Sequence, residues 1–403
     1  MRTRGIRGAA LLLALFTAAG CGSGIGGTAQ PAEIDVRTLD VGKYSTAPLE
    51  ERYTYYPDLG MGLNLAAMRL ADHVATGPEI DAKLGYGTGM KAFLHSDGGT
   101  NLAKTALPVL DANGMLFGVS ASNAEKPRGK NGKIPENITF TALTVIQFPD
   151  GAAATKAAAE LDAADFAFAA DVNQPLTLTK YPAAHAHWRP DVPTMGSTLA
   201  HGSYVVNLMV GVNSPDTAQL TALSERVYDV QLALLDGLPP LSKEGALRLP
   251  YDPDGMMRRT LNPNGIGMPD ISSQFVSETR GFLNQIADQG HWTRIMKDNG
   301  MDRFALSMDM SNRSMLYRTR DERAAIALAG VILDQTYPDA ADAPTALPNA
   351  KCGESPIKDD YSTKRYRCAV TYGRYMATVE GDQLSDVHQR ANAQYALLAN
   401  STW

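Results

Sequence analysis

The feature that most constrains the fold is a β–α–β–β–α-like pattern of segments that occurs twice along the chain. In each occurrence a strand-like segment, apolar and β-branched in the first, leads through a capping aspartate into an alanine-rich helix, and a second strand, cap and helix follow. The segments are 141–148, 151–162, 204–212 and 217–235 in the first occurrence, and 314–319, 323–333, 375–380 and 387–398 in the second. The capping aspartates are 66 residues apart in the first occurrence (Asp150 and Asp216) and 65 in the second (Asp321 and Asp386). The pattern predicts a tandem duplication, with chance agreement of two short patterns as the alternative.

This duplication predicts the fold class and the domain boundaries. Strands side by side with helices on one face indicate an α+β fold of two related ferredoxin-like α/β sandwich domains. We expect an N-terminal α+β domain over residues 34–237 and a C-terminal α+β domain over 270–403. Residues 238–269 carry several prolines and no periodicity, which is typical of a linker or a long crossing loop.

Composition excludes two broad classes. Of the 403 residues, 44% are hydrophobic and 20% are charged, which is typical of a globular protein and not of a disordered one. The formal net charge is −6, and removal of residues 1–20, which contain three arginines and no acid, would lower it to −9. An acidic body lacks the basic surface that nucleic-acid binding requires, so we expect no nucleic-acid partner.

The first 21 residues have the three parts of an export signal. Arg2, Arg4 and Arg7 precede an apolar run, 9–19, that is too short to span a bilayer. The following Ala18-Ala19-Gly20-Cys21 resembles the lipobox of bacterial lipoproteins, although Leu is commoner where Ala18 stands. This resemblance implies a lipoprotein signal peptide over 1–20, cleavage before Cys21 and lipid on that cysteine. An ordinary secretory signal is the alternative.

The two remaining cysteines are predicted to form a disulfide. Export places Cys352 and Cys368 in an oxidising compartment. Their bond would close a polar loop rich in turn formers, at a gain of roughly 3 kcal/mol in the chain-entropy model. Metal binding by these two cysteines is the alternative, but no histidine or cysteine lies at zinc-finger spacing.

Several segments of the mature chain resemble a known family. They are the Leu39-Asp40-Val41-Gly42-x-Tyr44 opening, a helix that contains Met68-Arg69-x-Ala71-Asp72, and a strand over 200–206. Together with the lipobox they resemble an uncharacterised family of actinobacterial lipoproteins, of mycobacterial and nocardial type, over nearly the whole chain. The resemblance implies a domain of unknown function and no particular activity.

The candidate chemistry of the chain is sparse. On a strand, His185 and His187 would point to the same face, as a zinc or copper site would use them. Such a site needs further ligands and the sequence identifies none, so a polar, aromatic strand edge beside Trp188 is the alternative. The local motifs of serine hydrolases, zinc proteases and phosphate loops are missing from the sequence. We therefore predict no catalytic residue and no cofactor, with His185 and His187 as the candidates for a metal.

These observations favour a lipoprotein on the extracytoplasmic side of the cell membrane, with residues 21–33 as the lipidated cysteine and a flexible leash. The expected function is non-enzymatic binding of, or interaction with, an envelope lipid, a small molecule or a protein partner. The alternative is an envelope hydrolase whose active site is not visible as a local motif. A deep apolar pocket between the two domains would favour a small-molecule binder.

Replacing the cysteine tests the membrane anchor. Because the lipid is attached to the thiol, Cys21→Ala should release the protein from the membrane fraction or leave the precursor uncleaved. Labelling with radioactive palmitate should disappear with the thiol, whereas a Ser23→Ala control should label like the wild-type chain. Unchanged labelling of Cys21→Ala would contradict lipidation.

Overall fold

A computed structural model describes residues 34–98, 101–129, 132–310, 312–357 and 363–401. Cys21, the predicted lipidation site, lies outside these residues. The strands are β1 (Tyr86–Phe93), β2 (Phe117–Ala124), β3 (Phe140–Gln147), β4 (Gln174–Leu176), β5 (His185–Trp188), β6 (Thr194–His201), β7 (Tyr204–Gly211), β8 (Gln274–Ser277), β9 (Arg303–Asp309), β10 (Asn312–Arg318), β11 (Asp339–Ala341), β12 (Lys351–Glu354), β13 (Tyr366–Tyr372) and β14 (Tyr375–Gly381).

The α-helices are α1 (Glu51–Thr54), α2 (Leu59–Ala71), α3 (Gly77–Ile80), α4 (Leu107–Ala112), α5 (Gly151–Ala167), α6 (Thr217–Asp236), α7 (Lys243–Leu247), α8 (Thr279–Leu283), α9 (Gln289–Asn299), α10 (Glu322–Thr336) and α11 (Leu384–Ala399). Short 3₁₀ turns lie at Val36–Thr38, Ser96–Gly98, Lys104–Ala106, Pro253–Gly255 and Met257–Arg259. Within the described ranges, every helix is too short or too polar to cross a membrane.

The strands form two seven-stranded antiparallel sheets with the same strand order. The first sheet runs β1-β2-β3-β7-β6-β5-β4, and the second runs β8-β9-β10-β14-β13-β12-β11. Each strand of one sheet therefore has a counterpart in the other, and α5 and α6 correspond to α10 and α11. The predicted α+β architecture of two domains is confirmed, and we call the two sheets with their helices the first and second domains.

The two domains match at a constant separation of 171 residues through their central strands. Asp150 caps α5 by accepting from the backbone N–H of Ala153 at 2.8 Å, and Asp321, 171 residues later, caps α10 in the same way. The hairpins β6–β7 and β13–β14 turn at Gly202 and Gly373, which have φ values of +56° and +51°. Because L side chains rarely adopt such a φ, glycine at both turns keeps the two hairpins in the same register.

Two local predictions are wrong. Residues 200–206 form the end of β6, a turn and the start of β7, because Gly202 reverses the chain inside the segment predicted as one strand. Asp386 does not cap α11, which begins at Leu384 after Gln383. The Asp386 carboxylate instead accepts from the Tyr44 hydroxyl at 2.6 Å and from Arg390 at 2.9 Å, and so ties the N-terminal segment to the last helix.

The helices lie on both faces of each sheet, not on one face as predicted. In β7, Val205 packs with α5 whereas its neighbour Val206 packs with α6. Since adjacent residues of a strand point to opposite faces, α5 and α6 cover opposite faces of the first sheet. In the second sheet, Ala369 and Met376 pack with α10, and α11 covers the other face of β13 and β14. The sequence does not indicate which face of the sheet each helix covers, because the helices have similar caps and similar compositions.

The segment predicted as a linker or a long crossing loop packs against the body of the chain. Leu238 and Ala246 of this segment belong to the core of the first domain. Tyr251, Met257 and Leu261 are also buried. The segment is therefore a packed connection, and the described residues from 35 to 401 form one compact unit.

The predicted disulfide is confirmed. Cys352 and Cys368 are bonded and lie directly opposite each other on the neighbouring strands β12 and β13. Cys368 is fully buried, so the bond ties β12, the neighbour of the edge strand β11, to the interior of the second sheet.

Helix α2 contributes to the cores of both domains. Its residues Ala67 and Leu70 pack in the core of the first domain, while Leu65 and Met68 pack in the core of the second. Positions three apart share a helix face, so two adjacent apolar faces serve two different cores. The near absence of polar residues from this helix follows from that arrangement.

Asp72, the C-cap of α2, fastens the same helix to the second domain. Its Oδ1 accepts from the backbone N–H groups of Glu278, at 2.8 Å, and Gly281, at 3.1 Å, at the N-terminus of α8. A Cβ at Gly281 would lie 2.3 Å from this oxygen, so only glycine allows the approach. Burial raises the pKa of Asp72 from 3.8 to about 7, although the two backbone N–H groups oppose the shift.

This raised pKa predicts a pH dependence of stability. Between pH 4 and 7 the folded chain keeps a proton on Asp72 that the unfolded chain releases, so the free energy of unfolding falls as pH rises. The contribution of Asp72 to this fall is on the order of a few kcal/mol. Asp72→Asn should remove it, measured as a smaller difference between urea unfolding at pH 4.5 and at pH 7.5. The exposed Asp334→Asn is the control, and an unchanged pH dependence in Asp72→Asn would contradict the assignment.

Candidate functional site

A cavity of about 590 Å³ lies in the first domain, between the C-terminal part of α5 and one face of β6 and β7. This volume is in the range of small-molecule sites. Its lining residues are Asn101, Leu102, Ala103, Ala106, Ala142, Leu161, Asp165, Phe168, Ala169, Asn173, His187, Trp188, Arg189, Val192, Thr194, Met195, Gly196, Asn207, Leu208 and Met209. Thirteen of these residues are apolar or glycine, and seven are polar or charged.

The periodicities of the surrounding elements place these side chains. Leu161 and Asp165 lie four residues apart on α5, and the C-cap Phe168 follows three residues later, so they share the helix face that borders the cavity. Gly196 on β6 and Met209 on β7 are paired across the two strands and point to the α5 side of the sheet. Gly196 contributes no side chain and Met209 is 43% exposed, so the sheet is uncovered at this point.

His187 and two aspartates form a charged group in the wall of the cavity. His187 is 8% exposed, and its Nδ1 lies 2.9 Å from Oδ1 of Asp162 on α5. Its Nε2 lies 3.6 Å from Oδ2 of Asp165, one helical turn further along α5. At that distance the pair is electrostatic and not hydrogen-bonded. The ring of Phe166 packs edge-on against the imidazole, with the centroids 5.5 Å apart.

The surroundings raise the pKa values of both His187 and Asp165. Burial disfavours protonation of His187, but the hydrogen bond to Asp162 and the charges of both aspartates outweigh it and raise the pKa of His187 above 6.5. Burial raises the pKa of Asp165, and the charge of Asp162 raises it further, against the effect of His187. His187 thus neutralises part of the acidic charge at this wall.

The structure separates the two histidines proposed as metal candidates. Both lie on β5, but His185 is exposed and only His187 joins the aspartates. Across the described residues, the only three groups close enough to share a metal are Cys352, Cys368 and His388. The two sulfurs of that trio are bonded to each other, and His388 Nε2 lies 2.6 Å from the carbonyl of Asp342.

The second domain fills the corresponding space with its own side chains. At a separation of 171 residues, Arg367 takes the place of Gly196 and Glu380 that of Met209. Arg367 donates to Glu380 at 2.7 Å and to the Thr336 hydroxyl at 2.9 Å, and its guanidinium lies 4.3 Å from the centre of the Tyr337 ring. Arg367 and Glu380 are both buried. The space beside the sheet is therefore filled by side chains in the second domain and open in the first.

The cavity between the two domains is smaller than that of the first domain. It has a volume of about 230 Å³, and its lining includes the charged side chains of Arg69, Asp72, Glu278 and Arg303. Arg303 pairs with Glu278 at 2.7 Å. A deep apolar pocket here would have favoured a small-molecule binder, but this cavity is small and carries charged side chains, and the roomier cavity belongs to the first domain alone.

Fold and site together define a class: a two-domain α+β protein with one sheet in each domain and an open cavity in the first. The chain belongs to the DUF7373 family, a domain of unknown function. The N-terminal model of this family matches residues 53–251, and the C-terminal model matches residues 256–401. No curated protein matches the chain.

Among solved structures, the chain is similar to the extracellular domain of PknH from Mycobacterium tuberculosis. The identity is 12% and the TM-score 0.29. The match covers 45% of this chain and 99% of the other.

Sequence reasoning missed Asp162, Asp165 and Gly196. The predicted helix ended near Asp162, whereas α5 continues to Ala167 and carries both aspartates on the side of β5. Aligning the chain with itself at a shift of 171 residues would have revealed Gly196, because an arginine stands at the related position.

The charged group can be tested through the titration of His187. Asp162→Asn removes the carboxylate that opposes the effect of burial, so the pKa of His187 should fall by about one unit or more. An NMR titration of the imidazole Cε1 proton measures it, with the His201 resonance as the internal control. An unchanged pKa would show that the contact between His187 and Asp162 is not maintained in solution.

Proposed function

We propose that this chain is an envelope lipoprotein, anchored through Cys21 on the extracytoplasmic side of the cell membrane, whose first domain binds a small molecule. The anchor is supported by the lipobox-like sequence and the export signal before it. An actinobacterial origin is supported by the family-like segments noted in the sequence. Binding is the proposed task because the cavity provides apolar walls with a few fixed polar groups.

One observation carries this proposal: the first domain keeps open the space that the second domain fills. Protein interiors are close-packed, and an uncovered hollow costs contacts that a filled one provides. In the second domain Arg367 and Glu380 supply those contacts. Glycine and a half-exposed methionine at the related positions supply none, which suits a domain that receives its filling from a ligand.

A hydrolase is the second candidate, because the Asp162–His187 contact resembles the acid–base pair of hydrolytic triads. In such triads the distal nitrogen of the histidine faces a nucleophile. The Nε2 of His187 faces the Asp165 carboxylate instead. A carboxylate there would hold the proton on the imidazole and not pass it to a hydroxyl, so the geometry favours binding over hydrolysis.

We also propose that the two domains arose by tandem duplication of one unit with a ferredoxin-like centre. In support, β3, α5, β6 and β7 occur along the chain in the β–α–β–β order of that fold, with β4 and β5 inserted before β6, and β7 lies between β3 and β6 in the sheet. The same order recurs in β10, α10, β13 and β14. Placement of the following helix on the opposite face sets these domains apart from a ferredoxin-like sandwich.

Filling the cavity of the first domain tests the proposed function. Gly196→Arg imitates the second domain: the backbone of Gly196 is ordinary strand, and a Cβ there meets Asp165 and His187 at 3.4 to 3.5 Å. Native mass spectrometry of the full chain released from its own membrane should show a bound small molecule on wild type and none on Gly196→Arg.

Gly85→Arg is the matched control, because a Cβ at that glycine points into open space away from the cavity. This control should carry the same added mass as the wild-type chain. A wild-type chain without added mass, or a Gly196→Arg chain that keeps the mass, would contradict binding in this cavity. Circular dichroism should confirm that both variants are folded.

A further inference from the structure

We infer that the first-domain cavity is selective for ligands that carry a guanidinium or ammonium group, and that Asp165 receives this group. The inference rests on the proposed binding function and names the chemistry of its ligand. The second domain provides the basis for it, because Arg367 shows how a cation sits in this framework.

The second domain shows where a cation lies in this framework. Arg367 extends from β13 along the face of the sheet that α10 covers, and its Nη1 donates to the hydroxyl of Thr336 near the end of that helix. Its guanidinium lies over the Tyr337 ring. In the first domain Gly196 stands at the arginine position, so the volume of that side chain is part of the cavity.

Asp165 stands at the position of Thr336, 171 residues earlier. The replacement puts a carboxylate where the second domain has a hydroxyl that accepts from a guanidinium. A Cβ at Gly196 would already lie 3.4 Å from Oδ2 of Asp165, so a group that follows the path of Arg367 meets this carboxylate. Phe166 stands at the position of Tyr337, and its ring packs edge-on against His187.

Asp165 is also available for a ligand. Its side chain is 42% exposed, and its contact with His187 is too long for a hydrogen bond. His187 is already hydrogen-bonded to Asp162, so the two aspartates carry one negative charge more than a protonated His187 neutralises. A charge-assisted hydrogen bond from a ligand cation would balance that excess.

The rest of the lining indicates the body of such a ligand. Leu161, Phe168 and Met209 offer apolar contacts around the charged position, whereas Arg189 stands at the exposed edge. A ligand with a cationic head and an apolar body fits this distribution. A phosphate or carboxylate head would meet Asp165 with like charge, which is unfavourable.

Two probes of matched size distinguish the effect of ligand charge from the effect of ligand shape. Benzylguanidine and benzylurea have nearly the same size and shape, but only the first is a cation at neutral pH. Isothermal titration of the full chain in nanodiscs should give a dissociation constant about tenfold lower for benzylguanidine, the value of one charge-assisted contact at a half-exposed site. Gly196→Arg should bind neither probe.

Variants of Asp165 then test whether this residue causes the preference for benzylguanidine. Asp165→Asn should bring the two dissociation constants to within about twofold of each other, because the amide offers no charge. Asp298→Asn, which removes an exposed charge in the second domain, should keep the wild-type ratio. Asp165→Ser, with the threonine-like hydroxyl of the second domain, should behave as Asp165→Asn.

The inference fails if the wild-type chain binds both probes equally, if it does not bind benzylguanidine, or if the preference survives in Asp165→Asn and Asp165→Ser. Equal binding of both probes, lost in Gly196→Arg, would still leave the cavity a binding site. The proposed function fails by a different result, which is an identical added mass on wild type and Gly196→Arg.

Discussion

The burial of α2 between two cores is the constraint on which the rest of the structure depends. One helix supplies Leu70 to the first domain and Met68 to the second, so neither core is complete without it. Asp72 then fixes the end of this helix to α8 through two backbone hydrogen bonds. Breaking one partner of a buried polar contact costs more than the contact contributes, so the joint resists separation of the domains. Two sheets of the same design therefore behave as one unit.

The sequence patterns predicted the elements that depend on local rules. Capping aspartates such as Asp321 marked helix starts, and β-branched segments marked the central strands. The export signal predicted an oxidising compartment and therefore the disulfide between Cys352 and Cys368. The patterns could not predict that α5 and α6 lie on opposite faces, since that choice depends on which apolar surfaces remain uncovered after folding. They also missed the cavity, because a cavity is defined by volumes from distant segments, and Gly196 has meaning only beside the arginine of the other domain.

The two domains show two uses of one framework. In the second, a buried Arg367–Glu380 pair fills the space beside the sheet, and such a pair holds a unique arrangement more than it adds stability. In the first, glycine and methionine leave that space open, and His187 and its aspartates line it. Two domains of the same architecture can differ in this way when one keeps the packing that the chain needs to stay folded. The other domain can then keep an open cavity.

The two strand positions that the disulfide joins in the second domain carry other residues in the first domain. Cys352 and Cys368 pair across β12 and β13, and the corresponding pair across β5 and β6 is Ala186 and Ser197. A covalent bond limits how far the outer strands β11 and β12 can separate from their sheet, whereas the outer strands β4 and β5 are held by hydrogen bonds and packing alone. The strand that carries His187 thus belongs to the side of the first sheet that opens more easily. Local opening of these strands would widen the hollow beside His187, while the disulfide-bonded domain keeps the rest of the chain folded.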